Sequence, residues 1–268
     1  MNLLIFGFVF LLGLSIGSFL NVVIYRTLRE ESFVTGRSRC DHCRKTIAWY
    51  DTIPLFSYLI LAGTCRYCHK PIAIQHLIVE GMTGVLFGWW YLVGFAFFRL
   101  TTHPLLYIQP AYWLVVGILL LIILITDLTT YLIPDFTVIL LSLFAFAYRL
   151  LLVKMGIMSP QDLVYAVMAG VGLALFFAGL IMVTRGRGMG WGDVKLAVAL
   201  GLILGWPRAL VAVFLAFIAG AIAGIGLVLT KKKTFGQTIP FGPFLVVGTV
   251  AALMWGYTIW MWYIGLLS

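Results

Sequence analysis

Charge is what this chain has least of. Asp, Glu, Lys and Arg together make up 10% of its 268 residues, against 63% that are hydrophobic. A soluble domain carries about a quarter charged residues, so the soluble globular class is excluded. Acids are the scarcer sign, with nine Asp and Glu. The first apolar stretch lacks a basic start and a small-residue cleavage site. Leu3 to Ile24 is therefore expected to be a retained helix and not a cleavable signal peptide. Internal repeats and low-complexity stretches are missing too, and the four cysteines all fall in one polar segment.

What remains is a series of apolar runs, most of them about 20 residues long and so able to cross a bilayer. Eight candidate spans are expected, at 3–24, 77–98, 111–126, 136–153, 163–183, 193–206, 208–230 and 241–265. The third and sixth are short, so their ends should lie within protein rather than lipid. The expected fold is therefore an all-α polytopic membrane protein with about eight transmembrane helices and a small cytoplasmic zinc-binding segment between the first two. In domain terms, 1–25 is the first helix, 26–76 the four-cysteine segment and 77–268 a transmembrane core.

The net charge of +9 would point a soluble protein toward nucleic acid. Here it reports topology, because Lys and Arg accumulate in cytoplasmic loops. With an outside N-terminus and eight alternating spans, 14 of the 18 basic residues fall inside. They are Arg26, Arg29, Arg37, Arg39, Arg44, Lys45, Arg66, Lys70, Arg185, Arg187, Lys195 and the run Lys231–Lys233. Only Arg99, Arg149, Lys154 and Arg208 fall outside. Both termini then face the exterior. The nine Trp and 12 Tyr suit interfacial belts, and the expected surroundings are lipid, not nucleic acid.

Cys40-Asp-His-Cys43 and Cys65-Arg-Tyr-Cys68 are two C-x-x-C pairs separated by 21 residues. Each turn sets two sulfurs about one ion apart, and two turns complete a tetrahedral site of the closed structural kind. A reducing cytoplasm disfavours disulfides, and Arg39, Arg44, Lys45 and Arg66 favour thiolates. A metal would also fold a segment of about 50 residues that is too small for a core of its own. A redox pair or a catalytic metal is the alternative, and His42 or His69 could replace one ligand.

Four acids stand at or near membrane depth, Glu80, Asp127, Asp135 and Asp193. Such charges cost about 2.5–3.5 kcal/mol near the bilayer centre and mark functional candidates. Asp127 closes the third expected span and Asp193 opens the sixth, at the same cytoplasmic depth. Two aspartates meeting there would share one proton. One could then activate a water while the other hydrogen-bonds a carbonyl. Gly188, Gly190 and Gly192 would let backbone approach closely. The same acids also suit plain helix capping or a proton-coupled membrane transporter. Lys195 could tune the pair or snorkel to the interface.

These residues carry a resemblance. Gly190-Trp-Gly-Asp-Val-Lys-Leu196 and Asp127-Leu-Thr-Thr-Tyr-Leu-Ile-Pro-Asp135 resemble the two aspartate motifs of the type IV prepilin peptidase family, the GxGD class of intramembrane aspartyl proteases. Gly17-Ser-Phe-Leu-Asn-Val-Val-Ile-Tyr-Arg26 is similar to its opening, and the paired C-x-x-C with Ile53-Pro-Leu-Phe-Ser-Tyr58 to the zinc segment of its bifunctional members. The resemblance covers nearly the whole chain in order. It implies a catalytic pair Asp127 and Asp193, supported by Gly190, Gly192, Lys195 and Asp135. It implies zinc on Cys40, Cys43, Cys65 and Cys68. It also implies cleavage of type IV prepilins or type II secretion pseudopilins at the cytoplasmic face of the bacterial inner membrane. N-methylation of the new first residue from S-adenosylmethionine would follow, with Gly63 and Glu80 at positions tied to methyl transfer. Thr64 stands where many members carry a basic residue. Glu30, Glu31 or lipid headgroups could receive a basic leader, and Ile239–Pro243 is expected near the active site.

Overall fold

Backbone in a bilayer has no water to bond, so each apolar run must satisfy its own N–H and C=O groups as a helix. A computed structural model describes residues 2–28, 32, 36–98, 105–186, 188–231, 234 and 239–267. In chain order the helices are α1 (Leu3–Leu28), α2 (Phe56–Ile60), α3 (Gln75–Trp89), α4 (Phe95–Phe98), α5 (Leu105–Thr130), α6 (Asp135–Lys154), α7 (Pro160–Thr184), α8 (Trp191–Leu204), α9 (Arg208–Leu229) and α10 (Gly242–Leu267). A π-helical turn over Trp90–Gly94 joins α3 to α4. No strand occurs among the described residues, only the isolated bridges Arg39–Thr46 and Thr64–Pro71.

Seven of these helical stretches are long and apolar enough to cross a membrane, which makes this a multi-pass membrane protein. The remaining expected span, the sixth, is α8, whose 14 residues reach about 21 Å against a hydrocarbon core of about 30 Å. Its short length was legible, and its last six residues, Ala199 to Leu204, are all buried. The third span is different. It was expected to begin at residue 111, after Pro110, yet α5 runs through that proline from Leu105 to Thr130. Neighbouring groups make a proline tolerable within a membrane helix. The missing Pro110 N–H frees the Leu106 carbonyl, and the Trp90 indole N–H donates at 2.9 Å to the proline's own carbonyl beside it. Arg29, Glu30, Glu31, Arg99, Arg187, Lys232 and Lys233 lie outside the described residues.

The chain forms two compact units, residues 1–122 and 123–268. In the first, α1 packs along α3, so α3 joins the cysteine segment's unit. Gly13 and Gly17 on α1, with Gly84 and Gly88 on α3, have the four-residue spacing that lets membrane helices touch backbone to backbone. A Cβ on Gly17 would lie 2.7 Å from the Cα of Glu80.

In the second unit α8 is central, packing on α6 and α7, while α9 packs on α10. Leu196, Ala197, Ala199 and Leu200 of α8 are fully enclosed. Arg149 falls inside the expected span 136–153, at its outside end, and the structure gives it a partner that the sequence did not name. It belongs to α6, and its guanidinium donates to the carbonyls of Leu202 and, at 3.1 Å, Ile203. The physical reason is the shortness of α8. The last carbonyls of a helix have no partner of their own, and the buried end of α8 finds them on Arg149.

Candidate active site and metal centre

Asp127 lies in the last turn of α5. Three threonines surround it in sequence, and the hydroxyls of Thr129 and Thr130 donate back to the carbonyls of Ile125 and Thr126 at 2.8 and 2.7 Å. The helix closes at Tyr131, whose φ is 59° and whose N–H donates to the Asp127 carbonyl. Asp193 is the third residue of α8. Its Oδ2 accepts from the Gly190 N–H at 3.2 Å, a short-range N-terminal cap.

The fold brings these two carboxylates together. Asp127 is 5% exposed and Asp193 6%, and Asp193 feels the charge of Asp127. Each presents one buried oxygen, Asp127 Oδ2 and Asp193 Oδ1, with no hydrogen-bond partner among the described residues. Buried polar atoms are almost always paired. Two unpaired ones on adjacent acids make a place where a proton and a further polar group can be held.

Glycines set the spacing around the pair. A Cβ on Gly192 would lie 3.1 Å from Ile133, and one on Gly242 would lie 2.5 Å from Asp127 Oδ2 and 3.2 Å from Ile133. Gly242 begins α10, so the Ile239–Pro243 segment lies against the first aspartate, as expected. Asp135 and Lys195 pair with each other. The ammonium sits 2.7 and 2.8 Å from the two carboxylate oxygens, and both side chains are largely exposed. This ion pair ties the start of α6 to α8.

The cysteines form the second centre. Cys40 and Cys65 each open a tight turn: the N–H groups of Cys40 and Arg44 bond the carbonyls of Lys45 and Cys40, and those of Cys65 and His69 bond Lys70 and Cys65. Arg44 and His69 both take left-handed backbone, with φ of 59° and 55°. The two turns are therefore repeats of one device. All four Sγ atoms lie within 4.8 Å of one another, and Cys40 Sγ to Cys68 Sγ is 3.8 Å. A tetrahedral ion with metal–sulfur bonds of about 2.3 Å needs sulfurs about 3.8 Å apart, so the donor set fits. No disulfide joins these thiols. The backbone N–H groups of Tyr67 and Cys68 hold the Cys65 thiol down at about 7. His42 and His69 stand outside the four-ligand group.

Gly63 turns the chain into the second pair with φ 69°, and the Tyr58 ring would lie 3.0 Å from an added Cβ. Glu80, on α3, is buried, and its Oε2 accepts the Leu55 N–H at 2.9 Å. Sequence reasoning gave no individual role to Tyr25, Asn21, Ile133 or Arg149. The Tyr25 hydroxyl donates to Asp41, and Asn21 Nδ2 donates to the His76 carbonyl at 3.0 Å. Polar residues inside apolar runs were the available signal for Asn21 and Arg149. Nothing local marked Ile133.

Residues 11–93 match the Bacterial Peptidase A24 N-terminal domain, and residues 114–225 match the Type IV leader peptidase family. A prepilin leader peptidase/N-methyltransferase of Aeromonas hydrophila is 33% identical over 97% of this chain and 94% of its own. The chain belongs to the type IV leader peptidase family. Relatives of the same name in Legionella pneumophila and Bacillus subtilis (strain 168) are 32% and 31% identical, covering 95% of this chain and 93% and 96% of theirs. No solved structure matches. In this leader peptidase family member the first match encloses the four cysteines and Glu80, and the second encloses Asp127 and Asp193.

Proposed function

We propose that this protein cleaves the leader peptide of type IV prepilins or type II secretion pseudopilins with Asp127 and Asp193, and then N-methylates the new first residue from S-adenosylmethionine. The observation that carries the cleavage reading is the pair of buried carboxylates, each with one unpartnered oxygen. Two acids this close resist ionising together, so they hold one proton between them and titrate as a unit. The ionised member takes a proton from a water held between them, and that water attacks the scissile carbonyl. The protonated member hydrogen-bonds the carbonyl oxygen as it gains charge. The proton then passes to the leaving amine. Gly192 and Gly242 keep the space beside the acids free of side chains, and Gly190 holds Asp193 by its N–H. The Lys195–Asp135 pair supports this arrangement from outside by fixing α6 against α8.

Zinc on Cys40, Cys43, Cys65 and Cys68 is the structural metal. Charge bias supports an inner-membrane location with the cysteine segment in the cytoplasm and, with α8 counted as a crossing, both termini periplasmic. The names of the relatives support methylation, with Gly63 and Glu80 at its site and S-adenosylmethionine as donor.

The test is cleavage of a prepilin-type substrate by the purified protein, with mass spectrometry of the product. Asp127→Asn and Asp193→Asn should each slow leader removal by about 10²–10⁴-fold while the protein stays folded. Mutants that cut as well as wild type would overturn the assignment.

A further inference from the structure

The segment between α1 and α3 is not polar throughout. From Thr52 to Cys65 it carries no charged residue, and charges stand at once on either side, at Asp51 and Arg66. Those two side chains pair across the base of the loop. Arg66 Nε and Nη2 donate to the Asp51 carboxylate at 2.9 and 2.6 Å. The loop that the pair closes presents an apolar surface. Phe56, Leu59 and Ile60 of α2 are 55%, 68% and 78% exposed, and Trp49 and Ile53 just before them are exposed too. Large apolar side chains gathered on a surface mark an interaction site. We propose that this loop dips into the bilayer leaflet that holds the C-terminus of α1, with Phe56, Leu59 and Ile60 among the lipid acyl chains. The inference goes beyond the proposed activities and depends on neither of them.

Contacts within the first unit set the height of the loop. The Leu55 N–H, at the start of α2, donates to Glu80 Oε2. Glu80 lies in the second turn of α3, with its Cα against Gly17 of α1. The membrane-crossing stretch of α1 ends at Arg26, so Gly17 lies about 14 Å inside that end. The Glu80 side chain leans back toward the N-terminus of α3, which still leaves Leu55 on the lipid side of Arg26. Elements that lie in a membrane interface bury their apolar face to about 5–10 Å, and a loop fixed at this height does the same.

The loop also meets the other demands of lipid. Backbone there has little water to bond, so its groups must pair within the protein. The N–H groups of Ser57, Leu59, Leu61 and Gly63 donate to the carbonyls of Ile53, Leu55, Ser57 and Tyr58 at 2.8–3.1 Å. The Ser57 hydroxyl returns to the Ile53 carbonyl at 2.7 Å, and Pro54 has no N–H to satisfy. The Tyr58 ring packs at Gly63, so α2 turns one face to its own segment and leaves the other to the lipid. At the base of the loop the Arg66 guanidinium lies over the Tyr50 ring, and Tyr50 meets Trp49 edge-on, as aromatic residues do at headgroup level. The flanking cysteine turns carry Arg39, Arg44, Lys45 and Lys70 against the single acid Asp41, a charge that complements an anionic leaflet.

The experiment uses the full-length, metal-loaded protein in nanodiscs of phosphatidylethanolamine and phosphatidylglycerol. A ketone-bearing amino acid in place of Phe56 or Ile60, coupled to a nitroxide, leaves the four cysteines untouched. Electron paramagnetic resonance then compares collisions with oxygen, which concentrates in lipid, and with a water-soluble nickel chelate. Labels at Val85, exposed on α3, and at His42, exposed in the first cysteine turn, are the lipid and water references. At 56 and 60 the ratio of oxygen to nickel collisions should follow that at 85 and stand severalfold above that at 42. Ile60→Asp should lower the ratio at 56 with metal content unchanged, because a carboxylate resists entry into lipid. Nickel access at 56 and 60 equal to that at 42 would put the loop in water and overturn the proposal. Low collision rates with both reagents would put protein against the loop, from the second unit or another copy, and overturn it as well.

Discussion

At the scale of single residues, the glycine at 242 and the charge at 195 make opposite predictions. A Cβ at position 242 would press on Asp127 Oδ2 at 2.5 Å, so Gly242→Ala must shift the carboxylate or the helix start. Small displacements of reacting groups are costly, and cleavage should fall by about 10²-fold with little change in melting temperature. Lys195→Ala removes an ion pair that is mostly exposed. Such pairs contribute about 0–1 kcal/mol, so activity should fall by no more than about fivefold in a steady-state assay. The cysteines predict a pH dependence. Cys65 is held below the ordinary thiol range, at about 7. Its thiolate is therefore favoured above that pH and lost as pH falls through it. Metal retention against a fixed chelator, read by elemental analysis, should fall as pH is lowered, because protons compete for the thiolates.

At the scale of elements, α8 is the piece whose position matters most. It carries Asp193 at one end and ends at Leu204, inside protein, at the other. Arg149 caps that buried end through Leu202 and Ile203. Arg149→Ala would leave two buried carbonyls unpaired, at about 1–3 kcal/mol each. The thermal midpoint in detergent should fall by several degrees, with cleavage reduced because α8 loses its anchor. Arg149→Lys, with fewer donors and no fork, should restore part of the stability. The shortness of α8 was visible in the sequence, whereas its cap was not: Arg149 is 53 residues away from Leu202 along the chain. A similar limit applied to α5, where a proline reads locally as a helix start and a tertiary contact from Trp90 accompanies its continuation.

At the scale of the whole molecule, the two units divide the chemistry. The cysteine cluster and Glu80 lie in residues 1–122, and the aspartate pair lies in 123–268. The two activities should therefore separate by mutation. Asp127→Asn should lose leader cleavage yet still methylate a peptide supplied already cut. A mass-spectrometric assay on both substrates reads each activity independently.

Composition alone placed this chain in a membrane, because a backbone with so little charge around it can satisfy its polar groups there only as helices. The spacing of the cysteines and the two aspartate motifs named the candidate ligands and the candidate pair, since those signals depend on residues close together in the chain. Only the tertiary structure decided which oxygens are buried and unpartnered, that Gly242 faces Asp127, that Lys195 pairs with Asp135, and that Arg149 closes α8. Each of those contacts joins residues far apart in sequence, and their energies come from burial and close packing, which no local pattern encodes.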